Sequence, residues 1–304
     1  MSAKATTGAP GSNGPEGSIL GPTSHYFYSQ RLKLHYVDWG NPDAPLLLLV
    51  HGGRDHARTW DPVALVLRND YHIVAPDLRG HGDSQWAIGS SYSMVDYVLD
   101  VVQLLESLAP PVVTIVGHSL GGSIALQYTG VYPERVRKIV AIEGLGPPPH
   151  MIREAPAQVR MRQWIGEMQG LARRHPRHYP SLDDAIARMR DANPRLGPEQ
   201  AHHLTVHGMY RNEDGTYTWK FDNYVRAASP YLFNMPEAQE IWRQITCPTL
   251  LVRGTESWAS DPEEDGRAAA FRNYRAVNIT GAGHWVHHDR LEEFLRVVRE
   301  FLAA

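Results

Sequence analysis

Gly117-His118-Ser119-Leu120-Gly121 sets a serine between two glycines at the end of the apolar run Val112-Val113-Thr114-Ile115-Val116, and helix-compatible residues follow over Gly122–Tyr128. Strand, sharp turn, helix is the setting that exposes a serine side chain at the edge of a sheet. The turn also aims the Leu120 N–H at negative charge that develops beside the Ser119 hydroxyl. A serine hydroxyl is nearly inert at neutral pH and needs a base within hydrogen-bond reach. Gly281-Ala282-Gly283-His284-Trp285 supplies the candidate, His284, on a loop between the last strand pattern and the last helix pattern. His287 and His288 lie nearer the helix start and lack that glycine-rich setting. Upstream, Leu47-Leu48-Leu49-Val50 runs into His51-Gly52-Gly53. The Gly53 N–H is expected to join that of Leu120 in holding a tetrahedral oxyanion. Together these groups predict attack of Ser119 on a carbonyl carbon, with His284 taking and returning the proton.

Such convergence requires strands that deliver their ends to one edge of a sheet. Strand patterns cover His25–Ser29, Leu32–Val37, Leu46–Val50, Tyr71–Ala75, Val112–Val116, Val136–Ile142, Thr249–Val252 and Ala276–Ile279. Several are unbroken apolar runs, as parallel strands covered on both faces require. Helical patterns lie between them at Val63–Arg68, Met94–Leu108, Ser123–Val131 and Asp289–Leu302; the last carries Leu291, Phe294, Leu295, Val298 and Phe301 on one stripe. Alternating strands and helices predict a doubly wound α/β sheet. The alternation stops at Gly144-Leu145-Gly146-Pro147-Pro148-Pro149 and resumes near Ile245-Thr246-Cys247-Pro248. Between these breaks Ser181-Leu182-Asp183-Asp184 predicts a capping box, and Gly197-Pro198 a helix with proline in its first turn. A helical insertion at this point is expected to fold as a lid over the carboxyl edge, where ligands bind in open α/β sheets. A solvated helix face accounts for its arginines, among them Arg160, Arg173, Arg177, Arg188 and Arg190.

The 304 residues suffice for one large domain with an insertion. Apolar residues at 42% and charged residues at 21% describe a globular chain, and a formal net charge of −3 gives no footing for nucleic acid or an anionic membrane. No apolar stretch approaches the length of a membrane span. Residues 1–24 hold five glycines, three prolines and no apolar run, which predicts a disordered tail without a secretory signal. Cys247, the single cysteine, excludes an internal disulfide, reads as a small core residue and fits a cytoplasmic setting. The sixteen histidines form no metal-spaced cluster: His202-His203 and His287-His288 are adjacent rather than four apart, and most of the sixteen read as surface or supporting residues. Neither a metal nor a cofactor is implied, and the oligomeric state stays open.

Taken together, the serine turn, His51-Gly52-Gly53, Asp77-Leu78-Arg79-Gly80-His81-Gly82-Asp83-Ser84 and Gly283-His284-Trp285 resemble the α/β-hydrolase superfamily from about residue 25 to the C-terminus, the lid excepted. The resemblance implies a mostly parallel eight-stranded sheet with helices on both faces. Residues 25–146 and 243–304 would form its core and 147–242 its helical cap. It also implies that Asp77, Arg79 and His81 shape the core and the rim of the site rather than react. Most relatives place the carboxylate that orients the histidine three or four residues beyond the glycine ending the penultimate strand. Here that strand ends at Arg253-Gly254, and those positions hold Ser257 and Trp258, with Glu256 one residue early and Asp261 late. Haloalkane dehalogenase-like relatives carry the acid at the end of the preceding core strand, where this chain has Glu143. An ionised side chain ending an apolar strand needs a partner. The expected acid is therefore Glu143, with Glu256 and Asp261 as open alternatives.

Serine rather than aspartate at the turn implies acyl transfer instead of dehalogenation or epoxide opening. The expected activity is hydrolysis of a small-molecule carboxylic ester or lactone through an acyl-enzyme. A carbon–carbon bond hydrolase of the meta-cleavage type and a non-catalytic, hydrolase-derived ligand receptor remain alternatives on the same residues.

Overall fold

The computed structural model describes residues 21–89, 92–152, 155–227, 229–231 and 233–304. Most of the tail expected over 1–24 lies outside the described residues, and its last two, Thr23 and Ser24, already belong to the first strand.

The main sheet is built from β1 (Thr23–Ser29), β2 (Leu32–Asp38), β3 (Leu46–Val50), β4 (His72–Pro76), β5 (Val113–His118) and β6 (Val136–Ile142). After a small hairpin, β7 (Met209–Arg211) and β8 (Tyr217–Trp219), it is completed by β9 (Thr249–Gly254) and β10 (Tyr274–Ile279). The eight strands run in the order β1-β2-β4-β3-β5-β6-β9-β10, antiparallel at β1–β2 and β2–β4 and parallel thereafter. Strand β3 shows why both faces must be covered. Leu46, Leu48 and Val50 enter one apolar cluster with Leu104, Ile124 and Trp242, while Leu47 and Leu49 enter the other with Trp60, Phe294 and Val298. Burying each such side chain contributes about 1.5–3 kcal/mol, so the five-residue strand is held from both sides.

The covering helices are α1 (Asp61–Leu67), α2 (Met94–Leu108) and α3 (Leu120–Val131), and, at the chain's end, α8 (Val286–Asp289) and α9 (Leu291–Ala303). Between β6 and β9 come α4 (Ala157–Ala172), α5 (Leu182–Ala192), α6 (Pro198–Gly208), the β7–β8 hairpin and α7 (Met235–Trp242). Ser181 caps α5 as its spacing predicts: its Oγ accepts from the Asp184 N–H at 3.1 Å and donates to Asp184 Oδ2 at 2.7 Å. Pro198 opens α6. The antiparallel hairpin departs from the all-helical reading of this segment; strands of three residues each are too short to register as an apolar period.

This segment is tied to loops at the carboxyl edge of the sheet. The Leu204 carbonyl lies 2.9 Å from His56 Nε2, the Asp222 N–H donates to Gly80 O at 2.8 Å, and Trp86 Nε1 donates to Lys220 O at 3.1 Å. The described helices include none long and apolar enough to cross a membrane.

Candidate active site

Ser119 sits at φ 51°, ψ −116°, between β5 and α3. Only close packing holds an L-residue in this sparsely populated region. A Cβ on Gly117 would come within 2.5 Å of the Gly121 carbonyl oxygen, and one on Gly122 within 2.8 Å of Gly144 Cα. Gly117 and Gly122 are therefore sites of direct backbone contact. Ser119 N–H donates to Ile142 O at 2.8 Å, which anchors the turn to the end of β6. Leu120 opens α3, where the first-turn N–H groups have no partner within the helix. The loop after β3 presses against this turn: a Cβ on Gly52 would lie 2.7 Å from His118 Nδ1 and 3.3 Å from Ser119 Cβ. Gly53, Ser119, Leu120 and His284 all line one cavity of about 1120 Å³.

Glu143, directly after β6, also adopts a positive φ, 49°. The turn brings its carboxylate back over the end of β9, where the side chain is 1% exposed. Its Oε1 accepts from the Gly254 N–H at 2.9 Å, and its Oε2 accepts from Ser257 Oγ at 2.6 Å. The same Oε2 lies 2.5 Å from His284 Nδ1. A carboxylate can only accept, so this contact assigns the proton to Nδ1 and leaves Nε2 as the basic nitrogen. The His284 ring is further fixed between Trp258, centroids 4.9 Å apart, and His118, at 4.8 Å. His118 donates from Nε2 to the His284 carbonyl at 2.9 Å, and burial pushes its own pKa well below the ordinary imidazole value.

Of the three carboxylates considered from sequence, only Glu143 contacts His284 among the described residues. Glu256 forms an exposed ion pair with Arg195, and Asp261 accepts from Asn278 Nδ2 at 2.6 Å. Ser257, set aside in the sequence because it cannot be the acid, instead donates to Glu143. The signal was its position, since it occupies one of the places where most relatives carry the aspartate.

Asp77, Arg79 and His81 are buried away from the cavity. Burial alone would raise the Asp77 carboxyl, but the hydrogen bond and charge of His35, with the Ala57 N–H at 2.6 Å, hold it below the usual carboxylate range. Arg79 grips Asp100 through Nε and Nη2 at 2.7 and 2.6 Å. Cys247 is a core residue whose thiol burial pushes up to about 11.

Seven of the sixteen histidines are buried, His35, His51, His56, His81, His118, His287 and His288, and the expectation that none are spaced for a metal is corrected by α6. His203 and His207, four apart on α6, form the helical pair that attention to adjacent histidines misses; with Asp61 they bring ligand-type atoms within 4.8 Å of one another. Arg58 already occupies Asp61 through Nε at 2.7 and 2.9 Å. A second such group, His35, Asp77 and Asp83, surrounds the Asp77 carboxylate, whose oxygens are used in the bonds above and by the Asp83 N–H.

A mostly parallel eight-stranded sheet with a serine at a strained strand–helix turn and a histidine on a late loop defines an α/β hydrolase. Residues 47–297 match the profile of the Alpha/beta hydrolase family, and the chain belongs to that family. It is 27% identical over 292 residues to "Esterase Rv0045c" of Mycobacterium tuberculosis, covering 95% of this chain and 93% of that one. To the "3-hydroxybutyrate-oligomer hydrolase" of Cupriavidus necator it is 30% identical over 240 residues, 74% and 77% of the two chains. Among solved structures, a hypothetical protein from Pseudomonas aeruginosa, PA1622, superposes with a TM-score of 0.82 at 26% identity, covering 92% of this chain and 99% of the other. The family and these relatives identify the chain as a hydrolase.

Proposed function

We propose that this hydrolase cleaves a carboxylic ester or lactone of a small molecule by acyl transfer. The observation that carries the reading is the buried Glu143 carboxylate against His284 Nδ1 at 2.5 Å, with His284 and Ser119 lining one cavity. Ser119 Oγ attacks the carbonyl carbon while His284 Nε2 takes the hydroxyl proton, and the Glu143 carboxylate stabilises the imidazolium. The N–H groups of Gly53 and Leu120 receive the oxyanion; such a donor typically contributes about 3–4 kcal/mol to the transition state. The alcohol leaves with the proton from His284. A water deprotonated by His284 then releases the acid and restores Ser119.

Residues 147–242 act in this proposal as the lid, docked on the sheet edge by His56, Gly80 and Trp86 and supplying the far wall of the cavity. Residues 25–146 and 243–304 act as the catalytic core. The names of the esterase relatives support the ester class, and the single buried Cys247 supports a cytoplasmic setting. The test is turnover of 4-nitrophenyl butyrate together with fluorophosphonate labelling, in wild type and Ser119→Ala. Labelling and turnover that both vanish with Ser119 are expected. Labelling of wild type without ester turnover would move the reading to carbon–carbon cleavage, and loss of both in wild type would move it to a ligand receptor.

A further inference from the structure

Five arginines line the cavity that holds Ser119, namely Arg54, Arg177, Arg188, Arg195 and Arg226. Arg54 follows Gly53 directly and adopts φ 64°, a conformation uncommon outside glycine. Arg188 comes from α5 and Arg226 from the short turn Asn223–Arg226, and all three line the same cavity as Ser119 and His284. They arrive from three separate segments, and Arg188 is an exposed residue of its helix that also borders the cavity. The cavity's own carboxylates are engaged elsewhere. Glu256 pairs with Arg195, and Asp289 accepts from the Gly283 N–H at 2.7 Å. Among the described residues no carboxylate forms an ion pair with Arg54, Arg188 or Arg226, whereas Arg58, Arg79 and Arg267 each hold one.

Arg226 is supported in a different way: its guanidinium lies 5.0 Å over the Phe221 ring. A guanidinium held by its face keeps its N–H fork directed outward, free for a planar or tetrahedral anion. Partial burial, and then the neighbouring charges of Arg54 and Arg188, press the Arg226 pKa downward. Arg54, Arg188 and Arg226 are each solvent-exposed, so their like charges repel one another through a partly aqueous cavity. An anion seated among them removes that repulsion.

We propose that Arg54, Arg188 and Arg226 form an anion-recognition subsite, so that the preferred ester carries a carboxylate or phosphate group besides the scissile carbonyl. This rests on the hydrolase reading for the ester and on the cavity alone for the anion. The arginine fork pairs with either group through two parallel N–H···O bonds.

The test compares 4-nitrophenyl hydrogen glutarate with its neutral methyl ester in wild type and in the Arg188→Gln/Arg226→Gln double variant, with Arg188→Gln alone as a milder control. The readout is the ratio of kcat/KM for the charged over the neutral ester. The wild-type ratio is expected to be about ten- to a hundredfold, the range of a charge-assisted pair, and to fall at least tenfold in the double variant. A wild-type ratio of one or less, or a ratio unchanged by the substitutions, overturns the subsite. Thermal shifts with glutarate and with inorganic phosphate are measured in Ser119→Ala, which separates binding from turnover. A shift lost on adding both arginine substitutions supports the subsite even where the ester chemistry fails. The larger of the two shifts identifies the anion, and no shift with either overturns the proposal.

Discussion

Replacing Glu143 by glutamine tests the acid where the structure makes it most vulnerable. The carboxylate accepts three hydrogen bonds, from Gly254 N–H, Ser257 Oγ and His284 Nδ1. Glutamine fills the same volume but offers one acceptor oxygen and one NH₂ group. With its oxygen toward Gly254, the NH₂ faces the His284 proton and the Ser257 hydroxyl. With its oxygen toward His284, the NH₂ faces the Gly254 N–H. Either arrangement sets donor against donor in a site that is 1% exposed. The first relaxes if the His284 proton moves to Nε2, but that nitrogen can then no longer take a proton from Ser119. Loss of the imidazolium's counter-charge and of the correct tautomer lowers kcat by about 10⁴-fold in the worked serine-protease case, which corresponds to about 5.5 kcal/mol. We expect a fall of that order in kcat for 4-nitrophenyl butyrate, with KM changed far less, because the acid does not touch the substrate. Circular dichroism and a melting curve separate this from unfolding. Glu256→Gln, which breaks only an exposed ion pair, is expected to stay within about threefold of wild type, as such pairs contribute about 0–1 kcal/mol. The reasoning is refuted if folded Glu143→Gln keeps more than a tenth of wild-type kcat, or if Glu256→Gln is the variant that collapses.

Two further predictions follow from the surroundings of the site. Ser257→Ala removes one of the two donors on Glu143 Oε2 and leaves His284 in place; a hydrogen bond to a charged group contributes about 1.5–3 kcal/mol, so kcat should fall about tenfold, well short of the Glu143→Gln loss, and an unchanged kcat would show that Ser257 does not position the acid. Buried imidazoles make the fold acid-labile: burial lowers His51 and His288 to about 3 and His81 to about 4. The unfolded chain binds these protons near pH 6.5 and the folded chain does not, so stability is fully present above that pH and declines as the pH drops toward 4. The three imidazoles give a slope of about 4 kcal/mol per pH unit, and a stability from urea titrations that stays flat between pH 7 and 5 would refute it.

The parts of this protein legible in sequence are those where one local interaction dominates. Leu46–Val50 and Val136–Ile142 match their strands because an unbroken apolar run has few other solutions in a covered sheet. Met94–Leu108 matches its helix because Ser93 caps one end and Ala109, left-handed at φ 48°, stops the other. At the end of the chain the expected helix Asp289–Leu302 matches α9 to within two residues, whereas the one-turn α8 before it, ended at Arg290 with φ −141°, went unread. That break keeps the short α8 against Trp60, where His287 stacks at 4.5 Å, and no periodicity in the chain encodes so local a choice. The β7–β8 hairpin escaped for a similar reason, since it is fixed by cross-strand partners and by the pairing of Tyr179 with Tyr217 rather than by its own pattern.

The site divides along the same line. Ser119 and the glycines around it are readable because backbone contact excludes every alternative residue at Gly117 and Gly122. Glu143 is different: nothing in its own neighbourhood says where the carboxylate will point. Its direction depends on a positive φ at 143, on Gly144 packing against Gly122, and on donors supplied by Gly254 and Ser257 from another strand. These constraints come from three separate stretches of chain and converge only after β6 and β9 pair. The arginines of the cavity are harder still, because their meaning lies in which carboxylates they lack, and a missing partner leaves no mark on a sequence. The order of legibility is thus an order of range. A turn is written in five residues and a triad in three distant ones. A preference for one substrate is written only in how a folded cavity distributes charge.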